Sequence, residues 1–454
     1  MTETRHQFVA LDGLRIGMFV ELELGWMSHP FPKGSFKIAT DKQIETIRGL
    51  GLTRVRYVPA KSDPLNVPVV ASQITPAVTP VATPVVAVEV PAAVIAEPVV
   101  AVSASPPGAA QMAEQALALR QHRIQSIAAQ QRSLVVCEQR FGDAIRVYRK
   151  TADQAKTNPL AAMAQSLALV GGFVGDLMGE GESAIRLLSE GMGDQASMHP
   201  VNVTIISLLL GRATGMSEPE LMDLGMAAFL HDIGKTRLPD RVRWLQENFL
   251  PAEYKAYQEH VALSIQVGRD MGVSTQALQA IAQHHEMMDA SGFPARLKGD
   301  SLTRAAKVLA LVNRYENLCN PSRSAAAITP HEALSLIFTQ LKARFDGVTL
   351  SAFIRMMGVY PPGSVVQLLD DRYGLVVSVN SARPLKPRVI VHEPGVPKSE
   401  ALILDLEHMP SIGIRRSLKP ASLPAPSLDY LSPRQRVCYF FERALDPDLH
   451  EAPV

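Results

Sequence analysis

AFLHDIGK, residues 228–235, sets an imidazole and a carboxylate side by side at the end of an apolar run. Upstream, Ser217 and Glu220 have the spacing of a capping box, which starts a helix. Leu221, Leu224, Ala228 and Phe229 then give that helix a buried face. A buried His231–Asp232 pair is costly unless both groups are satisfied, and a metal ion satisfies both. Lys235 lies one turn beyond His231, within reach of the same pocket. The dipeptide alone is common, and a core histidine capped by its neighbouring carboxylate explains it too.

The other histidines strengthen the metal reading. Five of the 12 in the chain (His199, His231, His260, His284 and His285) fall between residues 199 and 285. His260 recurs with Tyr257, Val261 and Ser264 at helical spacing, and His284-His285 continue the apolar face of Leu278 and Ile281. Asp289 to Pro294 (DASGFP) reads as a loop. In the helix expected over Leu302 to Leu318, Ala306, Leu309, Asn313 and Glu316 share one face. Asn313 thus points where apolar residues point, either as an oxygen ligand or as an amide bonded to backbone. Five imidazoles and an acid suit Fe, Mn or Zn better than Ca or Mg. They exceed the three or four protein ligands of one catalytic zinc. Two divalent ions bridged by Asp232 fit better, and such a pair holds a bridging hydroxide and neutralises a phosphodiester in the transition state.

Outward from this region the chain divides into four parts. Residues 1–60 read as a small α+β domain: Ile16 to Leu24 and Thr53 to Val58 are strand-like, and Thr40 and Gln43 have capping-box spacing ahead of a short helix. Residues 61–108 hold 9 of the 33 prolines, 13 valines and four charged side chains, the composition of an extended tether. Residues 109–358 are helical, with expected helices at Gln111 to Lys156, Leu160 to Leu177 and Glu182 to Met192. After Pro361-Pro362-Gly363, VVQLL, LVVSV and RVIVH read as short strands, so 359–454 is expected as a small β-appendage with an irregular tail. The fold class is mainly α.

With 45 Lys+Arg against 44 Asp+Glu, the net charge of +1 argues against a dedicated nucleic-acid binder. Three scattered cysteines form no CxxC pair, which points to a reducing cytoplasm. The apolar runs at Leu160 to Val174 and Val201 to Leu210 fall short of a spanning helix and read as buried, so no membrane is expected. The long 111–156 helix allows a homodimer.

HDIGK (231–235), the helix bearing His260 and Gly268, HHEMMDASGFP (284–294) and LALVNRYENL (309–318) occur in the order found in the HD-GYP family. The chain resembles that branch of the HD metal-dependent phosphohydrolases across roughly 180–330. IGMFV…W…HPF (16–31) is similar to a small domain often fused ahead of it, and YPPGSVVQL (360–368) to a β-tail that often follows. The resemblance implies an HD-type bundle and hydrolysis of cyclic di-GMP, a bacterial second messenger, to pGpG or GMP. It implies metal ligation by His199, His231, Asp232, His260, His284 and His285, with Asp232 and Lys235 as the catalytic pair. Lys235 would contact substrate phosphate, and Gly292-Phe293-Pro294, the counterpart of the GYP loop, would serve partner contacts. The N-terminal domain is expected to serve protein contact or regulation.

Four positions depart from the family pattern. Asn313 stands where the family has an acid, which removes a charge from the cluster. Gln195 replaces a glutamate that supports a third metal in some members. Phe293 lacks the tyrosine hydroxyl, and of the phosphate-binding basic pair only Arg323 remains; Arg314 and Lys307 lie nearby, and Lys235, Arg323 and Arg314 are the expected substrate-binding residues. A domain that senses the nucleotide or docks a partner without turnover is the alternative these departures favour. An HD hydrolase for another phosphoester is a third option.

Overall fold

The computed structural model describes residues 7–22, 35–48, 52, 54–63, 109–179, 183–189, 194–246, 249–322, 326–380, 386–409 and 412–443. The expected tether beyond residue 63 lies outside them, as do Trp26, His29, Phe31 and Arg323. The chain forms two compact units, Met1–Ala116 and Leu117–Val454.

The first unit contains β1 (Gln7–Ala10), β2 (Phe19–Glu21), β3 (Ser35–Lys37), α1 (Asp41–Arg48) and β4 (Arg54–Tyr57), with an antiparallel sheet in the order β1-β4-β2-β3. The capping box forms: Gln43 Oε1 accepts from Ala39 N at 2.7 Å and Thr40 N at 3.3 Å, and Gln43 N donates back to Thr40 Oγ1 at 3.4 Å. Ile44 and Ile47 of α1 close a core with Leu14, Met18, Val20, Leu22, Ile38 and Val55.

The second unit takes in most of α2 (Ala109–Gln154), then α3 (Pro159–Met178), β5 (Ser183–Leu187), α4 (Gln195–Ala213), α5 (Glu218–Leu230), α6 (Asp240–Arg243) and α7 (Pro251–Met271). There follow α8 (Thr275–Gln283), α9 (Arg304–Cys319), α10 (Pro330–Gln340), α11 (Gly347–Met357), β6 (Val365–Leu368), β7 (Tyr373–Asn380), β8 (Arg388–Val391), β9 (Ile403–Asp405), β10 (Ile414–Leu418), α12 (Ala425–Leu431) and β11 (Tyr439–Arg443). Helix α5 is the axis and packs against α3, α4, α8 and α9. Its capping box is in place, and Leu224, Phe229 and Leu230 are fully buried. Each such side chain contributes about 1.5–3 kcal/mol of apolar burial. The architecture is a helical bundle of HD type, with strand-containing regions towards both ends of the chain.

Two expectations are corrected. Of the helix expected at Glu182 to Met192, the described residues 183–189 are not helical: Ser183–Leu187 is strand β5, because Ala184 to Leu187 are buried between β7 and β11, and sheet pairing overrides local propensity. Helix α3 is 20 residues long with a mean hydropathy of 1.5 over its most apolar window, so by length and composition it reaches spanning size. Gly171, Gly172, Gly175 and Met178 extend the apolar run past Val174. Its buried residues Ala162, Ser166, Val170, Phe173, Val174 and Leu177 form one stripe, of which α5 covers part.

The second sheet runs β10-β6-β7-β5-β11, with β8 against β7 and β9 against β8, every pair antiparallel. The described residues 412–443, expected as an irregular tail, thus include strands β10 and β11 and helix α12. Tyr439 N donates to Asn202 Oδ1 of α4 at 2.9 Å, and Val437 N to Asn320 Oδ1 just after α9 at 2.9 Å.

Candidate metal centre

Three helix ends and one helix interior deliver the histidines. His199 sits in the first turns of α4, whose start is fixed by Asp194 accepting from Ser197 N at 3.1 Å. His231 is the C-cap of α5, and Asp232 opens the tight 3-10 turn Ile233–Arg237 that carries Lys235. His260 lies inside α7, His284 caps α8, and His285 follows it. His231, His260 and His284 are fully buried, and His199 and Asp232 are each 4% exposed.

The imidazoles converge on the carboxylate. Asp232 Oδ2 is 3.4 Å from the Nε2 atoms of both His199 and His231, and Oδ1 is 3.5 Å from His260 Nε2 and 3.9 Å from His284 Nε2. Two donor groups result, His199-His231-Asp232 and Asp232-His260-His284-His285, each with ligand atoms within 4.8 Å of one another. Asp232 belongs to both.

The chemistry of these donors fits a divalent cation. His231, His260 and His284 donate from Nδ1 to the carbonyls of Ala228 (2.7 Å), Tyr257 (2.5 Å) and Ile281 (2.6 Å). Those bonds place a proton on each Nδ1 and turn each Nε2 inward. Nε2 atoms then confront one another: His199 to His231 at 3.1 Å, His285 to His260 at 3.2 Å and His260 to His284 at 3.4 Å. Asp232 Oδ1 is buried with no hydrogen-bond partner among the described residues. The facing lone pairs of His260, His284 and His285 beside an orphaned anionic oxygen are costly in a dry interior, and a cation relieves both.

Electrostatics agree with this. Burial pushes His260 down to about 4, with Asp232 opposing; burial and neighbouring imidazoles push His284 and His285 well below the usual histidine range. These three stand neutral, the form that ligates metal. Burial also acts to raise the Asp232 carboxyl, but His231, Lys235 and the His199 hydrogen bond outweigh it and keep the group ionised. Burial lowers His199, yet Glu316 and Asp232 overcome that and raise it to about 9.

Lys235 Nζ donates to Asp232 Oδ2 at 2.6 Å and lies 5.3 Å and 5.4 Å from the ring centres of Trp244 and Tyr257. A cleft of about 850 Å³ opens over His284, His285, Lys235 and Asn313, with Trp244, Phe249, Tyr254, Tyr257 and Phe293 among its walls. A second cavity of about 350 Å³ reaches His199 and Asp232 past Tyr148 and Arg149 of α2. Asn313 is buried on α9, and its Oδ1 accepts from Asn317 Nδ2 at 2.7 Å. Gln195 lines the larger cleft and donates to Asn320 O at 3.0 Å. Arg314 is on the same wall as Asn313.

The Gly292-Phe293-Pro294 loop borders the site. Phe293 stacks on His285 with centroids 4.4 Å apart. Glu286, buried, accepts from Ala295 N at 2.6 Å and Leu297 N at 2.8 Å and so clamps the loop. A Cβ on Gly292 would lie 2.3 Å from His285 O, which explains the glycine there. Sequence reasoning placed Glu316 on the Asn313 face without giving it a role, and passed over Glu286. The signal for Glu316 was a carboxylate one turn beyond Asn313 on a face otherwise apolar.

Residues 184–348 match the family model of the HD domain, and residues 7–165 match that of a domain of unknown function, DUF3391. Cyclic di-GMP phosphodiesterase PA4108 of Pseudomonas aeruginosa is 24% identical over 387 residues, 84% of each chain. The response regulator RpfG of Xanthomonas campestris, a cyclic di-GMP phosphodiesterase, is 28% identical over 150 residues, 32% of this chain and 39% of that one. The 3'3'-cGAMP-specific phosphodiesterase 3 of Vibrio cholerae is 23% identical over 163 residues, 36% of this chain and 35% of its own.

Proposed function

Taking the chain as a member of the HD-GYP branch of the HD phosphohydrolases, we propose that it hydrolyses cyclic di-GMP to pGpG or GMP with the help of two divalent metal ions. The observation that carries this reading is Asp232, whose two oxygens face two separate sets of imidazoles, one of them unpartnered. His199, His231 and Asp232 would hold one ion; Asp232, His260, His284 and His285 would hold the other, with Asn313 as a further oxygen donor. The nitrogen-rich donor set favours Fe, Mn or Zn. Ions bound there supply an activated water as nucleophile and offset phosphate charge.

The chain's own groups do the rest. Lys235 presents a buried ammonium, held in place by Asp232 and two aromatic faces, where the scissile phosphate would lie. The aromatic walls give planar bases surfaces to stack on. Phe293 and the clamped loop shield His285 from water. The match to PA4108, named a cyclic di-GMP phosphodiesterase, over most of both chains supports cyclic di-GMP as the substrate. All three cysteines are free and buried, which supports a cytoplasmic home.

A second reading, nucleotide sensing without turnover, is favoured by Asn313, an uncharged amide whose oxygen already accepts from Asn317. The test is to count metal per chain by elemental analysis and to incubate the protein with Mn(II) or Fe(II) and cyclic di-GMP or 3'3'-cGAMP. Linear product from cyclic di-GMP that vanishes in Asp232→Ala supports the enzyme. Tight binding of intact nucleotide without product supports the sensor, and preference for 3'3'-cGAMP overturns the substrate.

A further inference from the structure

The large cleft has a second group of cations away from the histidines. Arg314 projects from α9 beside Asn313, and its Nε is buried with no hydrogen-bond partner among the described residues. Arg344 ends the turn Lys342–Arg344 after α10 and lines the same cleft from its exposed rim. Its backbone carbonyl accepts from Met288 N at 2.9 Å, which ties this turn to the segment just after His285. Burial, and then the Arg344 charge, hold the Arg314 guanidinium below its ordinary range. Asp289 feels Arg344, but its carboxylate is committed to Ser291 N at 3.0 Å and Ser291 Oγ at 2.6 Å. Among the described residues that line the cleft, Lys235, Arg314 and Arg344 bring positive charge and none is acidic.

Two like charges on one partly dry wall, one of them with an orphaned buried N–H, favour an anion between them. A guanidinium fork matches a phosphate in two parallel hydrogen bonds. A cyclic dinucleotide carries two phosphodiesters on opposite sides of one ring, so a site that cleaves one must accommodate the other. We propose that Arg314 and Arg344 form a second anion subsite, which binds the phosphate that is not being cleaved. This rests on the cyclic dinucleotide reading above. It assigns Arg314 and Arg344 to substrate selection, and it makes a substrate with two phosphates fit better than one with a single phosphate.

The experiment compares two substrates on Mn(II)-loaded full-length protein: cyclic di-GMP, and bis(p-nitrophenyl) phosphate, which has one phosphodiester. Arg344→Gln, at an exposed position, and Arg314→Gln should each raise KM for cyclic di-GMP by about tenfold. Turnover of bis(p-nitrophenyl) phosphate should stay within about twofold of the parent, and kcat for cyclic di-GMP should change less than KM. Equal losses on both substrates, or an unchanged KM for cyclic di-GMP in both variants, overturns the subsite. A parent protein that cleaves bis(p-nitrophenyl) phosphate but neither binds nor cleaves cyclic di-GMP overturns the substrate reading, and the subsite with it.

Discussion

His199 Nδ1 donates to Glu316 Oε2, and that carboxylate also accepts from Asn320 Nδ2 at 2.8 Å and Asn202 Nδ2 at 3.4 Å. The same two amides hold the backbone of Val437 and Tyr439, so the returning C-terminal strand braces the acid that orients a histidine of the cluster. A carboxylate behind a ligating imidazole fixes its tautomer and raises its basicity. Glu316→Gln keeps an acceptor for Nδ1–H and removes the charge. Metal affinity on the His199 side should fall by about 10–100-fold. Elemental analysis after dialysis should find about one metal per chain fewer than in the parent; unchanged stoichiometry would show that Glu316 only packs.

Asn313→Asp should strengthen metal binding. Asn317 Nδ2 donates both to Asn313 Oδ1 at 2.7 Å and to Asn313 O at 2.8 Å, and a carboxylate at 313 keeps both bonds. A unit charge about 4 Å from a cation is worth ~4 kcal/mol at an effective dielectric of about 20. That exceeds what a tenfold gain in affinity needs. Titration with Mn(II) should find at least about a tenfold lower Kd and a higher kcat; if neither moves, position 313 is not a ligand.

How much of this was legible depended on whether the signal was local. The capping boxes at Thr40 and Ser217 and the helix ending at His231 were readable because each is set by residues within one turn. The histidine set was readable because its motifs are short and ordered along the chain. Strand β5 was not: Ser183–Leu187 has the residues of a helix, and only pairing with Asn380 and Tyr439, about 200 and 250 residues on, makes it a strand. The Arg314–Arg344 pairing was hidden for the same reason, since their shared cleft exists only after α9 and α10 pack. Glu316 was seen on its face, but its partner His199 lies 117 residues away.

Lys235→Met should separate binding of metal from chemistry. The methionine keeps the aliphatic stem against Trp244 and Tyr257 and loses the ammonium that bonds Asp232 at 2.6 Å. No imidazole is removed, so metal per chain should stay at the parent value. Loss of a preorganised cation facing phosphate should lower kcat by about 10²–10³. A variant that loses metal together with activity would place Lys235 in support of the cluster instead of the substrate.

Gly234 lets the HDIGK turn sit directly on α7. Its N–H donates to Ser264 Oγ at 2.9 Å, and a Cβ there would lie 2.4 Å from both His260 O and Ser264 N. Those are backbone atoms of the helix that carries His260, so relief requires α7 to move away from Asp232. Gly234→Ala should cost about 1–3 kcal/mol by overpacking and should pull the two donor groups apart. Gly272 provides the contrast: it caps α7 at φ +83° with open space around its Cα. Gly272→Ala should cost about 1 kcal/mol through backbone strain alone. Thermal melts with and without EDTA distinguish them. The parent and Gly272→Ala should lose Tm on chelation because metal stabilises only the folded site, whereas Gly234→Ala should melt at the same temperature in both buffers. An EDTA-sensitive Tm in Gly234→Ala would mean that the cluster tolerates a shifted α7.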